Sequence, residues 1–292
     1  MKILFADSET TGVDNKIHCI HQLSGAIAIE EIDESGNKQN IIKEVFDIKF
    51  RPKENAVIDD EALKVCNITK EELLSRELSY QQGYECFLNI LNKYINKFNR
   101  TDKFFLTGYN INFDKDFLYQ FFVDNGNQFL FSYIWGNPID VMTLCSVALI
   151  NNRHLMQNFK QGTVAKYFGF NFDETQLHDA LFDIYICIGL YSYVTKTKFQ
   201  ALNTFFNYSE CIWTNYMVDV CSNPSDYMIK TVLNTKLTFG KYNGQTIGEL
   251  VENHPGYIVW LHDETNINLI PEEIYKICLD KHTQKKTTIL SQ

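Results

Sequence analysis

The sequence predicts an α/β fold in which helices flank a mixed β-sheet, followed by a small α+β unit near the C-terminal end. Strand patterns dominate the first 50 residues of the 292-residue chain, and strand and helix patterns alternate after them. A hairpin and helix pattern then begins near Leu237. We therefore expect domains at 1–196 and 237–292, joined by a connecting segment at 197–236 whose Phe-, Tyr- and Asn-rich sequence indicates no role.

The first third of the chain is typical of a strand meander. Strands are predicted over Lys2 to Ala6, Gln22 to Glu30 and Ile42 to Phe50. The sequence Glu34-Ser35-Gly36-Asn37 is typical of a turn between the last two. Because short connections join antiparallel neighbours, we expect these strands to pair antiparallel.

After Pro52 the pattern becomes helical. Thr69 and Glu72 have the spacing of a capping box, and an amphipathic helix is predicted over Tyr84 to Phe98. The apolar run from Lys103 to Thr107 indicates a buried strand. Further helices are predicted over Asp116 to Val123, Val141 to Leu149 and His178 to Val194.

The C-terminal unit shows a hairpin followed by helices. Leu237-Thr238-Phe239 indicates a strand, Asn243-Gly244 a tight turn, and Thr246 with Glu249 a capping box that begins a helix. Pro255-Gly256 is expected to end that helix, and Tyr257 to His262 to begin another. The lysines that follow are expected to lie in a solvated tail: Lys281, Lys285 and Lys286.

Aromatic residues of this unit permit two interpretations. In one interpretation the core of this small unit contains four aromatic residues, as is common for aromatics at helical spacing: Phe239, Tyr242, Tyr257 and Trp260. Alternatively they would stack on nucleic-acid bases, and Lys241 near the hairpin tip would contact a phosphate.

Composition excludes several classes of protein. The 45% of hydrophobic residues and the low Gly and Pro content are typical of a globular chain with a core. The 27 basic and 36 acidic residues give a net charge of −9, which excludes coating of duplex nucleic acid by a basic surface. Local processing of nucleic acid stays open if metal ions offset the carboxylates.

Cellular location is inferred from the N-terminus and the cysteines. Asp7 and Glu9 interrupt the first apolar run, and no apolar stretch has the length of a membrane span. The eight cysteines are scattered without a CxxC pair, which favours reduced thiols. We therefore expect a cytoplasmic protein without membrane contact.

Asp7 and Glu9 lie at the end of the first predicted strand. The two-residue period of a strand places both carboxylates on one face, where they repel each other unless a cation lies between them. Gly12 allows the backbone to turn so that its N–H groups can face a ligand. The alternative is a polar strand end that leads into a turn.

Two further acids and a histidine follow in separate segments. Asp114 follows a predicted strand, where an Asp near a helix start is common. Asp183 lies on a helix that is apolar nearly all round, without Lys or Arg in helical reach, so its carboxylate needs a cation from elsewhere. His178 shares that site only if it precedes the regular helix, because five helical residues turn the direction by about 140°. The alternative is a solvent-facing loop histidine.

The ordered set resembles the exonuclease motifs of the DEDDh (DnaQ-like) family, which has a ribonuclease H-like fold. The matching segments are Asp7 to Gly12, Asn110 to Asp114 and His178 to Asp183, with Glu61-Ala62 and Asp140. Phe239 to Gly244, with Pro255-Gly256-Tyr257 and Trp260-Leu261, looks like the small domain that follows the nuclease domain in exonuclease X-like proteins.

The resemblance implies 3′→5′ removal of nucleotides with two divalent ions, Mg²⁺ or in its place Mn²⁺. It implies that Asp7, Glu9 and Asp183 hold one ion, that Asp7 bridges to a second, and that Asp114 helps to hold the second. His178 would take the proton from the attacking water. The implied substrate contacts are Thr10, Thr11, Gly12, Glu61, Asn110 and Phe113.

The favoured interpretation is a metal-dependent 3′→5′ exonuclease that releases nucleoside monophosphates from DNA 3′ ends. Cys66 and Tyr109 stand where the family often has histidines, and these departures bear on substrate preference. One alternative is a family member that trims RNA 3′ ends. Another is a non-catalytic nucleic-acid-binding or polymerase-associated module. The sequence indicates no particular protein partner.

Overall fold

The computed structural model describes residues 1–170, 172, 177, 179–201, 233, 236, 237, 240–264, 270 and 272–290. The chain divides into two units. The first unit comprises Met1–Ala148, Asn158–Lys166 and Phe170–Thr214, and the second comprises Leu149–Gln157, Tyr167–Gly169 and Asn215–Gln292. Most of the segment 197–236 lies outside the described residues, and the domain boundaries at 196 and 236 stay a prediction.

Within the described residues, the first unit has six strands: β1 (Lys2–Thr10), β2 (Ile20–Ile32), β3 (Lys38–Lys49), β4 (Phe105–Gly108), β5 (Ile139–Asp140) and β6 (Phe199–Gln200). They form one mixed sheet in the order β5-β4-β1-β2-β3-β6. β1, β2 and β3 pair antiparallel, as the short connections predict. β4 runs parallel to β1, β5 parallel to β4, and β6 parallel to β3.

β1 is longer than the sequence pattern predicts. The predicted strand ends at Ala6, whereas pairing with β2 continues to Thr10 opposite Ile20, with a register shift after Glu9. Ladder hydrogen bonds thus extend through the polar segment that an apolar pattern cannot identify. Asp7 and Glu9 consequently lie within the paired strand, as their two-residue spacing predicts.

Helices of the first unit confirm the expected alternation, with shifted boundaries. The helix predicted over Asp116 to Val123 spans Ile111–Asp124. The helix predicted over Tyr84 to Phe98 instead starts four residues earlier, because Ser79 and Gln82 form a capping box at its N-terminus. Phe98 lies beyond its end and is 86% exposed. The helices are α1 (Asp60–Val65), α2 (Lys70–Ser75), α3 (Tyr80–Tyr94), α4 (Ile111–Asp124), α5 (Val141–Ala148), α6 (Gln161–Tyr167) and α7 (Ala180–Thr195).

Helices cover both faces of the sheet. Leu4 and Ala6 of β1 belong to a core that includes side chains of α3 and α4. Phe5 faces the opposite side, where its ring lies 5.6 Å from the Tyr191 ring of α7. Since side chains alternate along a strand, Asp7 and Glu9 share the α7 side with Phe5. The fold therefore places the β1 acids beside the helix that carries Asp183.

The second unit has its own core. Leu237 pairs with the segment after the turn, since its N–H donates to the Gln245 carbonyl over 2.9 Å and its carbonyl accepts from the Gly244 N–H over 2.7 Å. Thr238 and Phe239 of the predicted strand lie outside the described residues. The core contains Leu237, Ile247, Leu250, Val251, Ile258, Leu261, Ile270, Ile274 and Cys278.

Three helices follow this turn: α8 (Ile247–Asn253), α9 (Pro255–Glu264) and α10 (Glu272–Leu290). The capping box of Thr246 and Glu249 is confirmed. The expected helix start at Tyr257 is wrong, because Pro255 occupies the first helical position, where a missing N–H costs nothing. The solvated tail predicted around Lys281 is instead helical, with Lys281 exposed on α10.

No helix in the described part of the chain combines the length and apolar character that crossing a bilayer requires.

Packing over β2 predicts the effect of a single methyl group. A Cβ at Gly25 would lie 2.5 Å from the Phe5 carbonyl oxygen and 2.5 Å from the Phe46 ring. We expect Gly25→Ala to lower the free energy of unfolding by about 1–3 kcal/mol, because strand backbone and a packed ring must both shift. Gly136→Ala is the control, since a Cβ there meets nothing within 4 Å, and should change stability by less than about 0.5 kcal/mol. Urea unfolding of both variants measures the difference, and equal values would show that the sheet accommodates the methyl group.

Candidate active site

Three carboxylates of the first unit meet at the carboxyl end of β1. One oxygen from each of Asp7, Glu9 and Asp183 lies within 4.8 Å of the others. Asp183 reaches this point from the first turn of α7, whose N-cap residue Asp179 accepts hydrogen bonds from the N–H groups of Leu181 and Phe182. The structure therefore brings together three of the four predicted metal ligands.

Asp114 approaches the same strand from its other side. It lies buried in the first turn of α4 and accepts hydrogen bonds from Ser8, over 2.9 Å from the N–H and 2.7 Å from the hydroxyl. Asn110, the N-cap residue of this helix, has a left-handed backbone (φ 61°) and donates its N–H to Asp140 over 3.0 Å. Ser8 thus fixes Asp114 against the strand segment between Asp7 and Glu9.

The four acids destabilise one another in their charged forms. Burial raises the pKa of Asp7 well above its usual range, and the charges of Asp114, Asp183 and Glu9 raise it further. Burial also raises the pKa of Asp114 to about 7, although the two hydrogen bonds from Ser8 act in the opposite direction. Among the described residues, the charges that act on Asp7 are those of Asp114, Asp183, Glu9 and Asp179, so a bound cation would stabilise its ionised form.

Glu9 has a thiol partner. The Cys66 Sγ, at the C-cap of α1, donates a hydrogen bond to Glu9 Oε2 over 2.9 Å. Burial and the Glu9 charge raise the pKa of Cys66, so the thiol stays protonated and acts as a donor. Burial raises the pKa of Glu9, whereas this hydrogen bond and the more distant Arg76 lower it. Cys66 thus fixes one oxygen of a candidate metal ligand.

The segment after β1 is held by its own backbone contacts. Thr10 donates its hydroxyl to the Gly12 carbonyl over 2.8 Å. Thr11 is buried, and its hydroxyl accepts the Cys19 N–H over 3.1 Å. A Cβ at Gly12 would overlap the His18 imidazole, so only glycine allows this close approach. These contacts shape the loop, and substrate contacts by its three residues stay a prediction.

The other predicted substrate residues lie on two helices of the first unit, α1 and α4. Glu61 is exposed in the first turn of α1, and Asn110 is exposed at the start of α4. Phe113 is half-buried and packs on Phe117 with ring centroids 4.8 Å apart. Both rings line a groove of about 270 Å³ with Val13, Asp14, Asn15 and Asp116. The structure therefore places Phe113 beside the loop that follows β1.

His178 lies outside the described residues, whereas α7 begins two positions later at Ala180. Its role as general base and the roles of the four acids as metal ligands stay predictions.

Several residues at the site carry roles that sequence reasoning missed. Ser8 holds Asp114, and Asp179 both caps α7 and raises the pKa of Glu9 through its charge. Gln161 donates its side-chain amide to the Asp183 carbonyl over 2.6 Å. Asp179 could have been recognised as an Asp that precedes an apolar helix. The partners of Ser8 and Gln161 are distant in sequence and have no local pattern.

The strand acids, the N-terminus of α7 and the mixed sheet together agree with a family model described as Exonuclease, which matches residues 4–191, more than half of the chain. The chain belongs to the exonuclease family. A second model, described as Exodeoxyribonuclease X-like C-terminal, matches residues 237–264. Both matches confirm the resemblance that the sequence motifs predict.

Two curated relatives match part of this exonuclease-family chain. Exodeoxyribonuclease 10 of Escherichia coli strain K12 is 31% identical over 96 residues, which are 32% of this chain and 34% of that protein. The same values hold for Exodeoxyribonuclease 10 of E. coli O6:H1 strain CFT073. The matched region thus covers about a third of the length of each of these curated relatives.

The structural comparison concerns the fold. The crystal structure of E. coli Exonuclease I in complex with a dT13 oligonucleotide is 19% identical, with a TM-score of 0.50. The match covers 66% of this chain and 41% of Exonuclease I. The complex with a 5cy-dA13 oligonucleotide gives 18% identity and a TM-score of 0.50. These matches confirm the expected mixed sheet of ribonuclease H-like exonucleases.

The pKa of Asp114 predicts how stability depends on pH when divalent ions are removed. Burial in the folded state raises the pKa of the Asp114 carboxyl from 3.8 to about 7, so the folded state favours its protonated form. Stability therefore falls as pH rises from about 4 to about 7, and the full penalty applies above pH 7. In EDTA at pH 8, Asp114→Asn should raise the free energy of unfolding by on the order of 1–4 kcal/mol, and the gain should shrink at pH 5.

Asp116→Asn is the control for this measurement, since Asp116 is an exposed acid of the same helix. Its effect should stay within about 0.5 kcal/mol at both pH values. Urea unfolding at pH 5 and pH 8 tests the prediction. An Asp114→Asn protein that is no more stable than wild type at pH 8 would show that burial does not disfavour this charge.

Proposed function

We propose that the chain is a metal-dependent 3′→5′ exonuclease that releases nucleoside monophosphates from DNA ends. Asp7, Glu9 and Asp183 would hold one divalent ion, and Asp7 and Asp114 would help to hold a second; the ions would supply charge stabilisation for phosphodiester hydrolysis. The first unit carries this activity, because all four acids belong to it.

One observation carries the proposal. Asp7, Glu9 and Asp183 converge within 4.8 Å in a partly buried position, and the charges of its neighbours raise the pKa of Asp7. Packing against α7 maintains this arrangement although the acids repel one another. A structural role would be served better by neutral side chains, whereas a divalent ion needs charged oxygens.

The donor set fits Mg²⁺ or Mn²⁺. The converging atoms are carboxylate oxygens, which are the ligands that these hard cations prefer. The Cys66 thiol is protonated and donates to Glu9, so it holds the ligand and does not compete for the ion. Ions bound here would stabilise the negative charge that develops on the attacking and leaving oxygens of a phosphodiester.

Residues of the chain position the remaining parts of the reaction. Ser8 holds Asp114 against the strand that carries Asp7 and Glu9, and Cys66 orients Glu9. Phe113, beside the loop after β1, offers an aromatic surface for the terminal base. His178 accepts a proton from the attacking water, since an imidazole titrates near neutral pH and its sequence position precedes α7.

Preference for DNA is inferred from relatives. Exodeoxyribonuclease 10 is named for DNA, and Exonuclease I has been crystallised with oligodeoxynucleotides. Matched DNA and RNA oligonucleotides of one sequence, incubated separately with Mg²⁺, test this preference. Faster degradation of the RNA would favour the alternative of an RNA-trimming enzyme.

Removal of metal ligands should abolish cleavage without unfolding the protein. Asp7→Asn and Asp183→Asn should each lower kcat/KM by at least about a thousandfold, because an ion at this position is worth several kcal/mol in the transition state. A 5′-labelled DNA oligonucleotide, which a 3′→5′ enzyme shortens stepwise, measures the rate. Glu71→Gln on α2 removes one exposed charge and should keep the wild-type rate.

The same substrate with a 3′-terminal block serves as the polarity control. Cleavage that continues unchanged past the block would contradict the 3′→5′ direction. Wild-type turnover by Asp7→Asn or Asp183→Asn in Mg²⁺ would show that the carboxylate cluster is not the catalytic site.

Loss of the proposed base should separate proton transfer from metal binding. His178→Ala should lower kcat by about a hundredfold or more, because a positioned base typically contributes that factor. The Mg²⁺ concentration for half-maximal rate should stay near the wild-type value. Rate measurements at saturating DNA over a Mg²⁺ series test both statements, and an undiminished kcat would exclude His178 as the base.

A further inference from the structure

The second unit carries a row of four rings that the proposed nuclease chemistry does not use. His254 stacks on Tyr242 at 4.5 Å, Tyr242 meets Tyr257 edge to face at 4.6 Å, and Tyr257 stacks on Trp260 at 5.3 Å, all between ring centroids. The interplanar angles are 27°, 71° and 28° along the row. We call these four residues the ring row.

Two elements hold the ring row. Tyr242 lies in the turn between Leu237 and Thr246, and Tyr257 and Trp260 lie one helical turn apart on α9. Gly240 has a φ of 75°, and a Cβ there would lie 2.5 Å from the Tyr257 hydroxyl. The turn therefore packs directly on α9, with glycine required at the contact.

Exposure separates the ring row from the core of its unit. The apolar core beside it is buried, with Ile247, Leu250 and Ile258 at 0% exposure. Trp260 is 47% exposed and His254 is also exposed, whereas Tyr242 and Tyr257 are half-buried. Tyr257 covers one side of Trp260, so the indole is pre-positioned by stacking while half of its surface contacts solvent. An interior role explains the two tyrosines but not the ends of the row.

Positive charge lies at the same place. The Lys241 ammonium is 5.3 Å from the Tyr242 ring centroid, and Lys241 is exposed. Lys236 is also exposed, and its backbone forms an isolated antiparallel β-bridge with Thr246 at the base of the turn. Planar rings at an exposed edge with a lysine beside them match the two parts of a single-stranded nucleotide, namely a base that stacks and a phosphate that needs a cation.

We propose that the ring row is a binding site for unpaired bases of single-stranded DNA. Trp260 stacks on a base, and Lys241 contacts a phosphate of the same strand. Stacking suits this protein because it needs no basic surface, and the chain has a net charge of −9. The choice of DNA rests on the proposed function, whereas the binding itself requires neither metal nor cleavage.

Binding of the full chain to oligo(dT) in EDTA tests the site without catalysis. Anisotropy of a labelled oligonucleotide gives the affinity. Tryptophan fluorescence comes from Trp135, Trp213 and Trp260, so the part of the quenching that Trp260→Phe removes reports on Trp260. Trp260→Ala should weaken binding by about fivefold to a hundredfold, the range for loss of one base stack. Trp260→Phe keeps a ring, so it should retain affinity within about threefold while most of the fluorescence quenching disappears.

Two further variants complete the design. Lys241→Ala should weaken binding and reduce the slope of log affinity against log salt by about 0.7, the value for one phosphate contact on a single strand. Phe98→Ala removes an exposed aromatic of the first unit, 86% accessible, and should bind as wild type. Thermal melting of each variant verifies folding.

Failure of this site and failure of the proposed function give different results. Quenching in EDTA that Trp260→Phe removes, without cleavage in Mg²⁺, would support the ring row and overturn the nuclease proposal. Cleavage in Mg²⁺ with Trp260→Ala binding within twofold of wild type, or no oligo(dT)-induced quenching in the wild type, would overturn the ring row alone.

Discussion

Mutual repulsion of four carboxylates, of which Asp114 is buried and the other three are partly buried, is the constraint on which the first unit depends. Asp7, Glu9, Asp114 and Asp183 approach one strand segment, and burial acts in the same direction as repulsion on Asp7. Such a cluster persists because sheet pairing and helix packing fix the backbones that carry it. The apolar surroundings of α7 supply that stabilisation, since eleven of its sixteen residues are buried. Binding of the proposed divalent ions would therefore couple the stability of the fold to the same residues.

Alternation along β1 lets one strand serve two sides of the site. Asp7 and Glu9 face α7, whereas Ser8 between them faces α4 and binds Asp114. The four acids thus reach one region from two layers of the fold. A shift of one residue in the pairing of β1 would exchange the two sets of side chains, which would turn Asp7 and Glu9 away from Asp183 and Ser8 away from Asp114. The antiparallel pairing with β2 through Glu9 opposite Gln22 specifies the correct register.

Local patterns in the sequence predicted the main parts of this arrangement. The two-residue repeat of a β-strand predicted that Asp7 and Glu9 lie on one face. The apolar sequence around Asp183 indicated a carboxylate that needs a cation. Patterns of this kind cannot report contacts between distant segments, such as Ser8 with Asp114 or Cys66 with Glu9. The start of α3 was missed for another reason, since the Ser79 and Gln82 capping box was available in the sequence. The helix at Glu272–Leu290 was missed because its polar composition resembles that of a solvated tail.

Negative charge sets different requirements for chemistry and for holding a substrate. Carboxylates that bind cations convert local negative charge into a site for phosphodiester chemistry, but they act over a short range because salt screens exposed charges beyond about 8 Å. A DNA strand that extends further meets an acidic protein, where contact with phosphates is unfavourable. Uncharged contacts with bases avoid this repulsion, and exposed rings such as Trp260 provide them. An acidic exonuclease-family chain therefore gains more from aromatic surfaces than from added acids or from a few scattered lysines.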